Sequence, residues 1–468
     1  MKISIPLTII LALVAVMAVQ SPATASEDHT EYLEGPFRTG EEVTAACLDC
    51  HEEQAEHFLE TSHYKWKGLP RTIDGLEKSK KEYGKANLIN NFCVDIEASR
   101  AFCTKCHAGY GWEDGADPQM DVGRIDCLVC HASKGHYQKS MAGLPDPKML
   151  ENGRMDLLEA ARSVGPPDRK NCGVCHFFAG GGDAVKHGDL DSSLIKPKPE
   201  HDIHMGGSTD MTCQECHITR DHRIAGASTF MATNDGRVAC EDCHRDPHRD
   251  SNSVNLLNIH TRTVACQTCH IPFFSKGQAT KMSWDWSTVG QDIEPAEQFG
   301  KETFARHKGT FVWARDVAPR YAWYNGKTRR YLKGDKVKDT SGPVIIAQPV
   351  GAISDKGSRI YPFKVFTGKQ PMDSKLKHLL IFQSYGGLWS DYDWENALQA
   401  GAESSGLPYS GEFTFVSTVS YGSINHEVAP KEQALDCGDC HFGRDKRMDW
   451  EALGYEGDPM RVGVRKAK

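Results

Sequence analysis

Hydrophobic residues are concentrated at the start of the chain and are spread thinly between polar residues elsewhere. Residues 5–19 form an apolar run behind the positively charged Lys2, and Ala23-Thr24-Ala25 has the small-x-small pattern of a cleavage site. The run is shorter than the ~20 residues that a membrane-spanning helix needs, which disfavours the alternative of an uncleaved anchor. The pattern predicts a signal peptide over residues 1–25, cleaved near Ala25. We therefore expect an exported, periplasmic protein whose mature chain has no membrane span.

Later hydrophobic patterns predict short elements. Residues 52–60 are expected to be helical, and residues 148–163 carry Met149, Met155, Leu158 and Ala161 at helical spacing, with Pro166-Pro167 ending that helix. The alternating stretches 344–346 and 413–419 predict strands. These elements are few for a chain of 468 residues.

Composition explains how such a chain could fold. Only 39% of the residues are hydrophobic, whereas Gly (43) and Pro (22) are frequent, so an ordinary core would be thin. A chain that wraps bulky apolar cofactors can do without a large core, because the cofactors supply buried surface. The formal net charge is −8 and no basic domain is present, which argues against nucleic-acid binding.

The cysteines identify the cofactor. Of 17 cysteines, all but Cys93 fall in eight Cys-x-x-Cys-His units. Two thiols at this spacing can form thioethers with one haem, and the following imidazole then binds the iron as proximal ligand. Zinc sites and disulfides do not require that histidine. The units are Cys47/Cys50/His51, Cys103/Cys106/His107, Cys127/Cys130/His131, Cys172/Cys175/His176, Cys213/Cys216/His217, Cys240/Cys243/His244, Cys266/Cys269/His270 and Cys437/Cys440/His441.

The positions of these motifs divide the chain. Seven motifs lie in residues 26–280, none lies in the Trp- and Tyr-rich residues 281–436, and the eighth opens the C-terminal segment 437–468. We expect the middle segment to be a wrapping region, mixed with some β-structure. The predicted fold is mainly α, with long irregular loops and a few short strands, wrapped around eight covalently bound haems c.

A low-spin haem needs a second axial ligand, and thirteen histidines lie outside the motifs. We expect seven of them to be distal ligands, because they lie between or near motifs. His57 and His136 are substitutes for members of this set. His29 is not expected to be a ligand, since it lies close to the new N-terminus. The expected distal set is His63, His187, His204, His222, His248, His260 and His426.

Together these residues resemble the octahaem tetrathionate reductase family over essentially the whole mature chain. Beyond the motifs, the resemblance rests on five segments. These are Gly180 to Asp191 (Gly-Gly-Gly-Asp-Ala-Val-Lys-His-Gly-Asp-Leu-Asp), His201 to Met205, Asp285-Trp286, Tyr361 to Lys364, and Ala434 to His441. Hydroxylamine oxidoreductases also carry eight haems, and the family is similar to them and to pentahaem nitrite reductases in haem packing. Pentahaem nitrite reductases place a lysine inside a motif, whereas every motif here ends in histidine.

The resemblance implies that most haems are bis-histidine relays. It implies that the haem at Cys103–His107 is catalytic and carries a lysine on its distal face. Lys186 is the position that matches, and Lys170 is the runner-up. A preceding glycine run, Gly180 to Gly182, permits close approach to a porphyrin. A free cysteine is usually a small buried hydrophobe. The family has a cysteine near its active site, however, and the resemblance therefore implies a catalytic role for Cys93, whose sulfur would suit S–S chemistry.

Three functions remain open from the sequence. The first is reduction of tetrathionate to thiosulfate, and the second is nitrite or hydroxylamine chemistry at the same site. The third is a non-enzymatic electron conduit. An enzyme would take electrons from a soluble or membrane-bound cytochrome and bind a small inorganic anion, for which the candidate cations are Lys196, Lys198, Arg320, Arg329 and Arg330. Related sites suggest calcium near the active haem, although no acidic cluster in the sequence supports it. No sequence feature indicates an oligomeric state.

Overall fold

The computed structural model describes residues 28–462, apart from 93, 95, 113–119, 227–230, 232–235, 250, 252 and 443–446. The predicted signal peptide and Cys93 therefore lie outside the described residues. None of the described helices combines the length and apolar character that crossing a membrane requires.

Short helices occupy most of the region that carries the first seven motifs. In the described part of the chain, the α-helices are α1 (Gly40–Leu59), α2 (Ser62–Lys65), α3 (Arg100–Cys103), α4 (Leu128–His131), α5 (Pro147–Glu151), α6 (Leu157–Arg162), α7 (Arg169–His176), α8 (Cys240–Cys243), α9 (Val254–His260), α10 (Cys266–His270), α11 (Trp389–Asp391), α12 (Trp394–Ser405), α13 (Cys437–Cys440) and α14 (Pro459–Val462).

Side-chain caps fix where the motif-bearing helices begin. Thr39 and Glu42 form a reciprocal capping box at the start of α1, and Asp168 and Asn171 do the same for α7. Each box satisfies backbone N–H groups that the first helical turn leaves without partners. Helix α1 contains the first motif, and its backbone leaves helical geometry at His51 (φ −119°, ψ 32°).

The single helix expected over residues 148–163 is wrong: two helices, α5 and α6, occupy this stretch. Gly153, between them, adopts the left-handed φ of +70°. Asp156 then accepts hydrogen bonds from the backbone N–H groups of Leu158 and Glu159 and so starts a new helix. The apolar spacing favours one helix, but the glycine and the new cap interrupt it.

The strands lie mainly in the segment that contains no haem motif. They are β1 (Thr219–Arg220), β2 (Arg223–Ile224), β3 (Thr280–Asp285), β4 (Glu297–Gln298), β5 (Lys301–Glu302), β6 (Phe304–Ala305), β7 (Gly309–Ala314), β8 (Arg320–Tyr324), β9 (Lys327–Arg330), β10 (Val344–Val350), β11 (Arg359–Asp373) and β12 (Phe413–Ser423).

Eight of these strands form one sheet, which is more extensive than the few short strands expected. Its order is β6-β7-β3-β11-β12-β10-β9, with β8 paired to one end of β11. The central strand β11 has 15 residues and runs antiparallel to β12 and parallel to β3. Both stretches expected to be strands, 344–346 and 413–419, lie in this sheet.

The largest hydrophobic cluster packs on this sheet. It includes Trp284, Trp286, Phe366 and Phe382, together with Leu398 from α12. Burying each large apolar side chain contributes roughly 1.5–3 kcal/mol, so the packing on this sheet is a major source of the stability of the fold. Smaller clusters lie between the motif helices, which agrees with a thin core in that part of the chain.

Candidate functional site

All eight motifs place their cysteines on one helical turn. The cysteines lie on helices α1, α3, α4, α7, α8, α10 and α13 or directly next to them, and on the 3-10 turns Thr104–Cys106 and Cys213–Glu215. On a helix, residues i and i+3 share a face, and residue i+4 lies beside them. The two thiols and the imidazole of each motif can therefore approach one ligand together.

The surroundings of the motifs fit covalently bound haem. The sixteen motif cysteines are unbridged thiols in the described structure, so they do not form a disulfide framework. A continuous cavity of about 1890 Å³ is lined by cysteines and histidines of the first, third, fourth and fifth motifs. Its size and lining suit several large planar groups attached through these side chains.

Seven motif histidines face a second imidazole at nearly constant distance. Ring centroids in these pairs are 6.0–6.4 Å apart. Two metal–imidazole bonds of about 2 Å on opposite sides of one iron give a similar centroid spacing of roughly 6 Å. The pairs are His51–His29, His176–His63, His131–His222, His244–His204, His217–His426, His270–His248 and His441–His260.

The paired histidines differ from the expected distal set at one position. His29, which we did not expect to be a ligand, faces His51, and it takes the place given to His187. His187 lies in the large cavity near His176, next to Lys186. Of the substitutes, His136 is exposed at the surface. Nothing in the sequence indicated that His29 faces His51, because His29 lies close to the expected new N-terminus.

Burial keeps several of these imidazoles in the form that binds metals. Burial lowers the pKa of His176 to about 3, and it also lowers the pKa values of His63 and His270. His426 is different: burial lowers its pKa, but the hydrogen bond and charge of Asp189 outweigh burial, and the net shift is upward. A neutral imidazole is the metal-binding form, and burial favours it at His63, His176 and His270.

The second motif has a different environment. Among the described residues, no second imidazole stands opposite His107. Its ring instead packs against Trp66 and Trp112, with centroid distances of 5.2 and 4.5 Å. Its Nε2 lies 2.5 Å from the carbonyl oxygen of Tyr64. To bind iron through this nitrogen, His107 would have to give up its contact with that carbonyl oxygen, whereas the other seven motif histidines already face a second imidazole.

A buried ion pair fixes the backbone of this motif. The Nζ of Lys139 lies 2.5 Å from Asp126 Oδ2, and both side chains are almost fully buried. Lys139 also donates a hydrogen bond to the carbonyl oxygen of His107. Tyr110 Oη donates to the other carboxylate oxygen of Asp126 at 3.0 Å. The second and third motifs are thus tied together through one buried polar network.

Lys186 is positioned by the glycine run and by the sheet. Gly180 and Gly181 have φ values of +83° and +96°, and a Cβ on Gly180 would lie 3.2 Å from the Cβ of Lys186. From strand β11, the buried Lys364 donates hydrogen bonds to the carbonyl oxygens of Val185 (3.1 Å) and Lys186 (3.0 Å). The turn therefore requires glycine, and the hydrogen bonds from Lys364 hold the backbone of Val185 and Lys186 in place.

Lys186 lines a small cavity of about 30 Å³ with Lys85, Asn90 and Arg330. Lys85 Nζ lies 3.7 Å from the ring centroid of Trp66, the same ring that packs on His107. This contact places the cationic cavity beside the second motif. Burial lowers the pKa of Arg330 to about 10, so its guanidinium remains charged at neutral pH.

The other candidate cations lie elsewhere. Lys196, Lys198, Arg320 and Arg329 are exposed, as is the alternative lysine ligand, Lys170. Lys85 was missed from the sequence, because a single lysine in a polar segment carries no signal of its own. Cys93 lies outside the described residues, directly after the cavity-lining Phe92.

Contacts between motif cysteines show which motifs are neighbours. The side chains of four cysteine pairs lie close together: Cys47 and Cys127, Cys106 and Cys175, Cys172 and Cys213, and Cys240 and Cys266. Electrostatic interactions join Cys130 to Cys172, Cys216 to Cys243, and Cys269 to Cys437. The motifs therefore run in the spatial order one, three, four, five, six, seven, eight, with the second attached to the fourth.

The fold also gathers Asp191, His201 and Glu427 into one cluster. Glu427 accepts hydrogen bonds from His201 and from the backbone N–H of Lys276, and Asp191 accepts from the backbone N–H groups of Ser193 and Gln278. Because protein donors already engage these carboxylates, we assign no calcium to them.

The motif geometry and the paired imidazoles define a multihaem c-type cytochrome. Comparison with known proteins agrees. The family model for bacterial cytochrome c matches residues 281–444, and that for cytochrome c554 and c-prime matches residues 46–132. An uncharacterized protein of Archaeoglobus fulgidus is 25% identical over 287 residues, which cover 50% of this chain and 95% of that relative.

A solved structure extends the comparison to nearly the whole chain. The octahaem cytochrome c of Shewanella oneidensis is 45% identical, with a TM-score of 0.85, and the match covers 95% of this chain and 100% of that one. The chain belongs to the octahaem cytochromes c. It binds haem c covalently and has a redox function.

Proposed function

We propose that this protein is a periplasmic octahaem reductase whose catalytic haem is held by the second motif and by Lys186. The observation that carries the proposal is the cationic cavity of Lys85, Lys186 and Arg330 beside His107. The second motif is also the one without an opposing imidazole in the described residues. A protein that only conducts electrons would need neither the cationic cavity nor a motif histidine without an opposing imidazole.

The seven imidazole pairs suit relay sites. When bound, the haems would carry single electrons between motifs and would reduce the substrate at the second motif. The contact of Cys106 with Cys175 joins the second motif to the fourth, and Cys175 Sγ lies 3.4 Å from the carbonyl oxygen of Cys106. Electrons from a cytochrome donor would therefore reach the second motif through the fourth.

The chain's own cations suit an anionic substrate. Tetrathionate is a dianion, and two electrons break its central S–S bond to give two thiosulfates. Lys85 and Arg330 would attract the dianion and offset the negative charge that develops as this bond breaks.

Lys186 would act as a ligand through its neutral amine. The neighbouring charges of Lys85 and Arg330 disfavour a third positive charge in the same cavity, which promotes loss of the Lys186 proton. We propose Cys93 as a second active-site side chain, because it follows Phe92, which lines this cavity. Its thiol would suit chemistry on an S–S bond.

Nitrite or hydroxylamine reduction at the same site is the second candidate, supported by the same small cationic cavity. Steady-state kinetics of the holoprotein with reduced viologen separate the candidates. We expect the highest kcat/KM for tetrathionate. A higher kcat/KM for nitrite or hydroxylamine would reassign the substrate, and absence of turnover with all three would overturn the reductase proposal.

A further inference from the structure

The paired imidazoles differ in what their second ring nitrogen contacts. Four of them face neutral acceptors: His131 faces the carbonyl oxygen of Gly165, His217 that of Ala225, His260 that of Leu256, and His248 faces Asn258 Oδ1. Two face carboxylates instead: His426 Nδ1 lies 3.1 Å from Asp189 Oδ2, and His441 Nδ1 lies 2.6 Å from Asp458 Oδ1.

Several backbone donors hold both carboxylates in place. Asp189 Oδ2 also accepts the backbone N–H groups of Asn425 (2.7 Å) and His426 (3.0 Å). Asp458 accepts the backbone N–H groups of Met460 (3.0 Å) and Phe442 (3.3 Å). Hydrogen bonds of this kind stabilise an ionised carboxylate.

We propose that Asp189 and Asp458 are positioning residues that lower the reduction potentials of the haems at the fifth and eighth motifs. A carboxylate acceptor makes the imidazole more basic, which favours ferric over ferrous iron, whereas a neutral acceptor does so less. The proposal rests on the paired imidazoles binding haem, and it does not depend on the substrate.

The eighth motif lies where a low reduction potential would favour the uptake of electrons. The eighth motif lies at one end of the spatial order, next to the seventh, and Cys437 is exposed. A low-potential haem at an exposed end suits uptake of electrons from a donor, because transfer to the seventh haem is then downhill.

Two reciprocal substitutions test the proposal in the holoprotein. Asp458→Asn keeps an N-cap oxygen for α14 but removes the charge, whereas Asn258→Asp puts a carboxylate on His248 of the seventh haem. We expect Asp458→Asn to raise the potential of one component in a redox titration followed by absorption and EPR. We expect Asn258→Asp to lower the reduction potential of one component. The remaining components should not move.

Unchanged potentials in both variants, with bis-histidine EPR signals retained, would overturn the tuning by carboxylates. If the native holoprotein shows no bis-histidine EPR signals, both the ligand assignment and the proposed effect of the carboxylates on the reduction potentials are wrong. Failure to reduce tetrathionate would count against the proposed reductase and would leave the redox result standing. If Asp458→Asn fails to assemble, Asn258→Asp alone decides, because a potential that does not fall contradicts the proposal.

Discussion

The imidazole ring of His29 faces that of His51 with 6.3 Å between the ring centroids. This spacing matches the six other pairs, although His29 lies close to the N-terminus of the described chain. The imidazole that faces the first motif thus belongs to a residue that the sequence analysis left out of the expected distal set.

Replacing His29 with Ala should convert one haem of the ferric holoprotein from low spin to high spin, because the first motif loses its distal imidazole. EPR measures this conversion directly. His136→Ala is the matched control, since His136 is exposed at the surface. A high-spin signal in the control, or none in the His29 variant, would contradict the pairing.

Arg329 and Arg330 are neighbours on strand β9 but have different surroundings. Arg330 lines the cavity, whereas Arg329 is exposed and lies 3.4 Å from Asp74. Arg330→Gln should raise KM for tetrathionate by roughly 10-fold with a smaller change in kcat, because a charge that attracts the substrate is lost. Arg329→Gln should change neither constant. Uncharged hydroxylamine should be affected less than the anions, and equal effects on all substrates would contradict the electrostatic role.

The buried pair of Lys139 and Asp126 should matter for stability. Lys139→Met leaves the Asp126 carboxylate buried without its cation, so we expect the free energy of unfolding to fall by about 3–5 kcal/mol. Lys375→Met, in the exposed pair with Glu412, should cost less than about 1 kcal/mol. Guanidinium titrations followed by circular dichroism compare the two. Equal losses in both variants would show that burial of the first pair has no special effect.

The local chemistry of this protein could be predicted from its sequence, whereas long-range pairings could not. The motif spacing is a property of one helical turn, so the haem attachment residues follow from sequence alone. The partner of His176 is His63 and that of His217 is His426, and only the tertiary fold brings such distant residues together.

The other differences between prediction and structure arise from strand register, local backbone conformation and strand pairing. Five surface or cavity cations were equivalent in sequence, and the register of β9 directs only Arg330 into the cavity. The helix expected over residues 148–163 failed because Gly153 takes a left-handed conformation. The sheet is larger than expected, since its strands pair across long connections that alternation within one strand does not reveal.

EPR of the ferric holoprotein, compared between the native chain and Lys186→Met, tests the central proposal most directly. In the Lys186 variant we expect the signal of one haem to change, the bis-histidine signals of the other haems to persist, and tetrathionate turnover to fall by at least ~100-fold. The exposed Lys170→Met is the control and should behave like the native chain. An unchanged spectrum with full turnover in the Lys186 variant would contradict the assignment of Lys186 as the ligand of the catalytic haem.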